Sequence, residues 1–150
     1  MNYFDQHTLE IFGQLLLAVI LGSSIGIERE VAHKSAGMRT HALVALGSAL
    51  FTIVSQALSG PYIDPTRIAA QIVTGIGFLG AGLIIFHNSR VQGLTTAAGV
   101  WVASAIGMAV GFRLYAISIF TTILTILVFV ILWPIERRFI KRFAKDEIGD

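Results

Sequence analysis

Long apolar stretches without Asp, Glu, Lys or Arg dominate the pattern of hydrophobic and polar positions along this chain. Each stretch is close to the ~20 apolar residues that a helix needs to cross the ~30 Å hydrocarbon core of a bilayer. Backbone polar groups must be paired within the segment there, so the stretches predict helices. The stretches are residues 11–27, 40–63, 68–89, 91–112 and 114–135. The pattern therefore predicts an all-α integral membrane protein, a bundle of five transmembrane helices.

Composition limits how much of the chain lies outside the bilayer. Hydrophobic residues make up 55% and charged residues 13% of the 150 positions, which leaves room for one helical bundle. We assign residues 1–135 to a five-helix transmembrane domain and residues 136–150 to a basic cytoplasmic tail. Because the basic residues are spread over loops and the tail, the lipid bilayer is the expected partner and nucleic acid is not.

Basic residues are distributed unequally between the two sides of the predicted bundle. One side carries only Arg67 and Arg113, and no Lys or Arg precedes the first stretch. The remaining basic residues lie on the other side: Arg29, Lys34, Arg39, Arg90, Arg137, Arg138, Lys141, Arg142 and Lys145. The positive-inside rule places this richer side in the cytoplasm, so the N-terminus is predicted outside and the C-terminus inside.

The tail has two interpretations. Apolar residues recur at helical spacing among its basic residues, which is typical of an amphipathic helix on an anionic leaflet. The apolar positions are Ile135, Phe139, Ile140 and Phe143. A basic cluster after the last span also serves as a plain stop-transfer signal, and both interpretations stay open.

Small residues recur every fourth position on two of the predicted helices. The first helix carries Ala18, Gly22 and Gly26; the fourth carries Thr95, Gly99, Ala103, Gly107 and Gly111. Such faces let two helix backbones approach closely inside a membrane. The partner is either another helix of the same subunit or a second copy in a homodimer.

Charged residues follow the small face of the first helix. At 100° per residue, Arg29 and Glu30 continue that face into the bundle, whereas Glu28 points away. We predict a functional charge cluster at the cytoplasmic rim, formed by Glu28, Arg29, Glu30, Arg39 and His41. The alternative is a solvated salt bridge between Glu30 and Lys34 at i,i+4 spacing.

The third stretch has polar residues at its start and glycines in its middle. Asp64 is a predicted N-cap followed by Pro65, and Asp64, Arg67 and Gln71 form a predicted outer mouth. Gly75, Gly77, Gly80 and Gly82 then indicate either tight packing or an unwound segment that lines a polar path. We group them with Gly93, Thr95, Thr96, Gly99 and Gly107 as a packing or pore segment, with the threonine hydroxyls predicted to cap the fourth helix.

Enzymatic motifs are absent from the sequence. The glycines at 75, 77 and 80 match a dinucleotide fingerprint, but no βαβ unit surrounds them. No H-E-x-x-H motif is present, and His7, His33, His41 and His87 have no paired spacing. The chain also has no Cys. We therefore expect no catalytic residues and no cofactor, and leave any metal unassigned.

Five motifs, in order, resemble the membrane domain of the MgtC/SapB family. They are G-I-E-R-E at 26–30, A-G-M-R-T-H at 36–41, D-P-T-R at 64–67, G-I-G-F-L-G-A-G at 75–82 and G-L-T-T-A-A at 93–98. The resemblance implies a bacterial inner-membrane protein of about five helices with its N-terminus outside. It also implies an association with growth at low magnesium, virulence through survival in macrophages, and restraint of the F-type ATP synthase.

The length of the sequence refines the resemblance. The best known members continue after the last helix into an ACT-like cytoplasmic domain, whereas this sequence ends about 15 residues after position 135. The short SapB-like members are the closer analogy. The expected function is a non-enzymatic regulator of a membrane complex such as an ATPase, or of ion homeostasis. A small ion or solute transporter, or a channel-like oligomer with a path along the third helix, is the alternative.

The charge asymmetry predicts the result of a reporter experiment. A reporter fused after Asp150 is expected to read as cytoplasmic, and one inserted within residues 60–64 as external, because the basic side stays inside. Reporter activity in intact cells measures both positions. Two reporters on the same side contradict the five-helix arrangement.

Overall fold

The computed structural model describes residues 5–58, 64, 66–87 and 89–146, with residues 136–146 as backbone alone. Within these residues the chain forms five helices and one two-stranded antiparallel hairpin. The elements are α1 (Gln6–Val31), α2 (Met38–Ala57), α3 (Arg67–Gly82), β1 (Ile85–His87), β2 (Arg90–Gln92), α4 (Leu94–Gly111) and α5 (Tyr115–Asp146). The all-α class is confirmed, and the small hairpin is an addition that the sequence did not predict.

Four of the helices are long and apolar enough to cross a membrane: α1, α2, α4 and the Tyr115–Ile135 part of α5. The third, α3, has 16 residues, which at 1.5 Å per residue is about 24 Å and shorter than the hydrocarbon core. The predicted stretch 68–89 was therefore wrong in its helical extent. The helix stops at Gly82, and the chain enters β1 instead.

A close backbone contact closes the hairpin at its base. Gly93 has a left-handed φ of 88°, and a Cβ at this position would collide with the carbonyl of Leu83. Only a residue without a side chain is compatible with both the conformation and the approach. Gly93 thus brings the start of α4 against the end of α3.

The start of α3 also differs from the prediction. The helix begins at Arg67 with Thr66 in the N-cap position, and Asp64 lies before it. The Asp64 carboxylate accepts hydrogen bonds from the Thr66 amide (2.8 Å) and hydroxyl (2.7 Å). Asp64 therefore stabilises the turn that precedes the helix, in the manner of an Asx turn. Pro65, predicted at N1, lies outside the described residues.

The small-residue faces of α1 and α4 both pack against α2. A Cβ on Gly22 would lie 2.9 Å from the Ala45 Cβ, and one on Gly107 would collide with the Ala45 carbonyl. Ala45 is fully buried between them. A Cβ on Gly111 would meet Thr52 one to two turns further along α2, at 2.7 Å. These contacts lie within one subunit, and α2 forms the centre of the bundle.

Helix α5 packs on the outside of this three-helix core. Its Phe129 lies against Gly99 of α4, where an added Cβ would be 2.9 Å from the ring. The helix continues without interruption through position 135 to Asp146, with Pro134 inside it. The side chains of residues 136–150, which would distinguish a surface helix from a stop-transfer cluster, lie outside the described residues.

The glycine segment of α3 is a regular α-helix rather than an unwound one. Gly80 makes an ordinary contact with α4, since its Cβ would lie 3.8 Å from the Ala97 Cβ. Gly75, Gly77 and Gly82 have no atom within 4 Å of an added Cβ. Within the described chain, three of the four glycines are therefore not packing positions, and only Ala69, Ile76 and Gly80 of α3 are buried.

The contacts of α2 predict opposite effects for two glycine substitutions. Gly107→Ala is expected to lower stability by ~1–3 kcal/mol, because its methyl group forces α4 away from the Ala45 carbonyl. Gly47→Ala, where a Cβ meets nothing within 4 Å, is the matched control. It is expected to leave stability unchanged or raise it by up to ~1 kcal/mol, since Ala is the better helix former.

Thermal unfolding in detergent, followed by circular dichroism, measures both variants. Equal midpoints for Gly107→Ala and Gly47→Ala would show that the α2–α4 contact is not a tight one.

Candidate functional site at the α1–α2 end of the bundle

Arg29 is the buried charged residue at the centre of the candidate site. It lies one turn after Gly26, whose missing side chain lets Met38 at the start of α2 come into contact with α1. The arginine is only 4% exposed. Helical periodicity therefore placed Arg29 correctly on the inner face of α1.

Two groups surround the Arg29 guanidinium. Its Nη1 donates to Glu28 Oε2 at 3.1 Å, and its Cζ lies 4.1 Å from the centre of the Phe129 ring on α5. A guanidinium over an aromatic face gains cation–π attraction, which is stronger when water is excluded. Glu28, which the helical wheel turned away from the bundle, reaches back to Arg29 with its side chain 19% exposed. The site is thus an ion pair with its carboxylate near the surface and its cation inside.

His41 supplies a second buried polar group from α2. It is fully buried, and its Nδ1 lies 3.0 Å from the Gly37 carbonyl. Because a carbonyl only accepts, Nδ1 carries the proton in this contact, and Nε2 of the neutral ring is then an acceptor. Both Arg29 and Glu28 lie within electrostatic range of the ring.

Two buried nitrogens of this site lack a hydrogen-bond partner among the described residues: Arg29 Nε and His41 Nε2. One is a donor and the other an acceptor, so their hydrogen-bonding capacities are complementary. Buried polar atoms are nearly always paired in folded proteins, and an unpaired one costs about 1–3 kcal/mol. This pair therefore distinguishes the site from an ordinary rim salt bridge.

Glu30 stabilises the α1–α2 connection rather than pairing with Lys34. Its Oε2 accepts from the Met38 amide at 2.9 Å, which satisfies a free N–H at the start of α2. Gly37, at the N-cap of α2, gives the carboxylate room, because a Cβ there would be 2.7 Å from Oε2. The ion pairs among the described residues are Arg29 with Glu28 and Arg113 with Glu10. Glu30 forms no ion pair among them, so the predicted salt bridge between Glu30 and Lys34 is not formed.

Arg39 does not join the cluster. Its side chain is exposed, and no carboxylate of the described residues lies within 4 Å of it. The expected proximity of Arg39 to Glu28 is replaced by the pairing of Glu28 with Arg29. Of the five predicted rim residues, the structure therefore brings together Glu28, Arg29 and His41, with Glu30 bound to the first amide of α2.

The α4 residues predicted as a packing or pore segment have different environments. Gly99 adjoins His41, since its Cβ would lie 3.4 Å from Nε2, and Thr96 is buried one turn earlier. Thr95 is exposed. Gly93 is the N-cap of α4 and no side chain caps the helix, so the predicted threonine cap was wrong.

A cleft at the opposite end of α2 contains the predicted outer mouth. Asp64, Arg67 and Gln71 line it together with Ser55 and Leu58, and its volume is about 560 Å³. The Thr66 hydroxyl and amide hydrogen bonds, aided by the Arg67 charge, hold the pKa of Asp64 below its ordinary value. Along α2, His41 lies 14 residues before Ser55 of this cleft, which is about 21 Å at 1.5 Å per residue.

A groove between α2 and α3 shares Ile68 and Gln71 with the outer cleft. Its volume is also about 560 Å³ and its walls are mainly apolar. Ser48 and Ser104 line it too, and their hydroxyls form a buried hydrogen bond of 2.7 Å. Gly75 lies along the groove, so the glycine segment borders an apolar surface rather than a row of free carbonyls.

Phe129 is the site residue that the sequence analysis missed. It lies in the most apolar stretch of the chain, and nothing in the sequence marks one phenylalanine of α5 as the neighbour of Arg29. The spacing Ser118, Thr122, Thr125 and Phe129 was the available signal, because all four side chains are buried on one face of α5. The Gln14–Tyr115 hydrogen bond (3.1 Å) was likewise undetectable from spacing.

The chemistry of the site is electrostatic. In the described part of the chain, no three His, Asp or Glu side chains are grouped as a metal site would require. The buried Arg29 repels a divalent cation, and its carboxylate partner Glu28 is already engaged in the ion pair. The arrangement is suited to holding α1, α2 and α5 together through a polar contact that charge or hydrogen-bond changes would disturb.

Comparisons with known proteins place the chain in a family. The family model described as the MgtC family matches residues 15–138. The chain is 48% identical over 128 residues to the Escherichia coli K12 protein named "Putative magnesium transporter YhiD", covering 81% of this chain and 60% of that protein. It is 46% identical over 118 residues to "Protein MgtC" of Brucella abortus strain 2308, covering 79% and 49% respectively.

A third relative matches over more of the chain than these two. The chain is 40% identical over 148 residues to a Haemophilus influenzae protein, covering 93% of this chain and 62% of that protein. The chain thus spans about half to three fifths of the length of these relatives. No solved structure is significantly similar to it. With the family model covering most of the residues that build the buried Arg29 site, the chain belongs to the MgtC family.

Proposed function

We propose that this chain is a non-enzymatic regulator in the bacterial inner membrane, acting on a membrane complex such as an ATPase through contacts between transmembrane helices. A link to magnesium homeostasis is supported by its membership of the MgtC family and by the names of its relatives. No catalytic residues and no cofactor are part of this proposal.

The observation that carries the proposal is the open surface of α3, on which Gly75 and Gly82 share one side of the helix and Gly77 lies on nearly the opposite side. Gly75, Gly77 and Gly82 have nothing within 4 Å of an added Cβ, while the small faces of α1 and α4 are already occupied by α2. A glycine costs about 1 kcal/mol in helix propensity relative to alanine. Glycines on the open surface of a membrane helix therefore indicate a contact with a helix from another protein.

The electrostatics of the Arg29 site support a regulator over a magnesium carrier. A site that moves Mg²⁺ needs several oxygen ligands with negative charge, and the Arg29–Glu28 pair offers one carboxylate beside a buried cation. A regulator requires only that Glu28, Arg29 and His41 hold the end of α1 and the start of α2 in the conformation that a partner recognises.

A small transporter is the second candidate, favoured by one observation. The outer cleft with Asp64 and Arg67 leads directly into the α2–α3 groove through Gln71. This is the arrangement expected of a path along α3. The apolar walls of the groove argue against a hydrated ion as the solute.

The open surface of α3 at Gly77 predicts the outcome of a bulky substitution there. Gly77→Leu is expected to fold normally, because the added side chain meets no atom of the described chain, yet to lose growth at low magnesium and co-purification of the membrane complex. Val73→Leu, at another exposed position of α3, is the matched control and is expected to retain both. Growth assays and affinity purification from membranes provide the measurements.

Flux measurements separate the two candidates. Purified protein in liposomes is expected to move no ion, and measurable Mg²⁺ or monovalent flux would instead establish the transporter. If Gly77→Leu still co-purifies the membrane complex normally, the open surface of α3 at Gly77 is not the contact with that partner.

The Arg29 site predicts a difference between single and double substitutions. Glu28→Gln leaves Arg29 buried and unpaired, at up to ~2.5–3.5 kcal/mol for a charge at a span's centre and less near its end. Adding Arg29→Gln removes the unpaired charge and is expected to restore most of the stability. If the site is functional, this double variant folds but stays inactive.

Arg39→Gln is the control for that experiment. Arg39 is exposed and makes no ion pair with the described residues, so this variant is expected to keep wild-type stability. Thermal unfolding in detergent and growth at low magnesium are measured for all variants. Full growth by the Glu28→Gln, Arg29→Gln double variant would reduce the site to a structural ion pair.

A further inference from the structure

The hairpin between α3 and α4 separates its side chains by polarity. Phe86 pairs with Val91 across the two strands, so both project from the same face. His87 pairs with Arg90, and Ile85 with Gln92, on the other face. One face is therefore wholly apolar, and the other carries Ile85 and Gln92 at its base and His87 and Arg90 at its tip.

No part of the described chain covers the apolar face. Phe86 is 73% exposed and Val91 52% exposed. The neighbouring Ile84 and Leu94, which enter and leave the hairpin, are exposed as well. Such a cluster of large apolar side chains in water is unfavourable, and something apolar must lie against it.

The length of α3 indicates that lipid covers the apolar face of the hairpin. Its 16 residues extend about 24 Å, which is less than the hydrocarbon core. Leu83, just after the helix, packs on the buried cluster of Ile76 and Val100, and Gly93 joins it to the start of α4. The base of the hairpin is thus fixed at the end of α3, an apolar helix shorter than the hydrocarbon core, and from this we expect it to lie close to the lipid interface.

The backbone of the hairpin sets the limit of its depth. A two-stranded ribbon leaves N–H and C=O groups on both outer edges without partners in the ribbon. Lipid-exposed strand edges do not occur within the hydrocarbon region, because unpaired backbone groups are too costly there. The hairpin is therefore confined to the interface between headgroups and acyl chains.

We propose that this hairpin is an interfacial lipid anchor on the side of the membrane that contains the α1–α2 connection. Phe86 and Val91 insert among the first carbons of the acyl chains, and Arg90 faces the phosphates of anionic phospholipids. An arginine near a leaflet surface attracts anionic lipid, and paired apolar insertion fixes the orientation of the ribbon.

The absence of cysteine from the chain allows a direct test by single-cysteine spin labelling. Phe86→Cys and Val91→Cys are compared with His87→Cys and Gln92→Cys in vesicles of phosphatidylcholine with and without phosphatidylglycerol. Labels at 86 and 91 are expected to collide several-fold more with oxygen than with a water-soluble nickel chelate, and labels at 87 and 92 to show the reverse. Accessibility to the nickel chelate at all four positions overturns the proposal. Labels at 86 and 91 shielded from both reagents also overturn it, because a protein surface then covers them.

Two further variants keep the test decisive. Phe86→Trp in the Trp101→Phe, Trp133→Phe background retains the apolar bulk if the cysteine variants are unstable, and quenching by lipids brominated near the carbonyl end is expected to exceed that of His87→Trp. Equal quenching overturns the proposal. Arg90→Gln is expected to make the label at position 86 shallower only in vesicles with phosphatidylglycerol. A depth independent of anionic lipid overturns the role of Arg90.

Discussion

The close approach of α2 to its two neighbours at Ala45 is the constraint on which the rest of the structure depends. Lipid tails are as apolar as leucine, so helices in a bilayer associate through van der Waals contact rather than through the hydrophobic effect. Gly22 on one side and Gly107 on the other bring backbone atoms against the same residue of α2. The result is a three-helix core in which a single added methyl group at Gly22 or Gly107 would force the helices apart.

The buried charge at Arg29 is possible because this core is so tight. Gly26 draws the start of α2 against α1, Glu30 binds the Met38 amide, and His41 is thereby placed in the same interior as the guanidinium. Phe129 of the outer helix then covers the guanidinium. Close packing thus creates the polar centre. Its two nitrogens without a partner among the described residues, Arg29 Nε and His41 Nε2, mark this end of the bundle as the candidate functional site.

Sequence periodicity predicted the features that one helix defines by itself. The apolar stretches located four spans, the i,i+4 glycines located the faces of α1 and α4, and the helical wheel placed Arg29 inside. Features that depend on two segments were not predictable in this way. The end of α3 at Gly82 depends on the contact between Leu83 and Gly93, and the choice of Arg29 over Arg39 as the partner of Glu28 depends on side-chain reach. Whether the glycines of α3 are covered depends on where the other helices pack, which the sequence of α3 does not encode.

The hydroxyl groups of α5 and α2 have different consequences for assembly of the protein in the cell. Ser118, Thr122 and Thr125 each donate to the carbonyl four residues earlier, which belongs to Leu114 for Ser118 and to α5 itself for the two threonines. These hydroxyls are therefore paired as soon as the helix forms. Ser48 of α2 instead pairs with Ser104 of α4, 56 residues later in the chain. During synthesis, α2 therefore enters the bilayer before its hydrogen-bond partner has been made. The Ser48–Ser104 contact forms only after α4 has been inserted, so the final packing of the central helix depends on completion of the bundle.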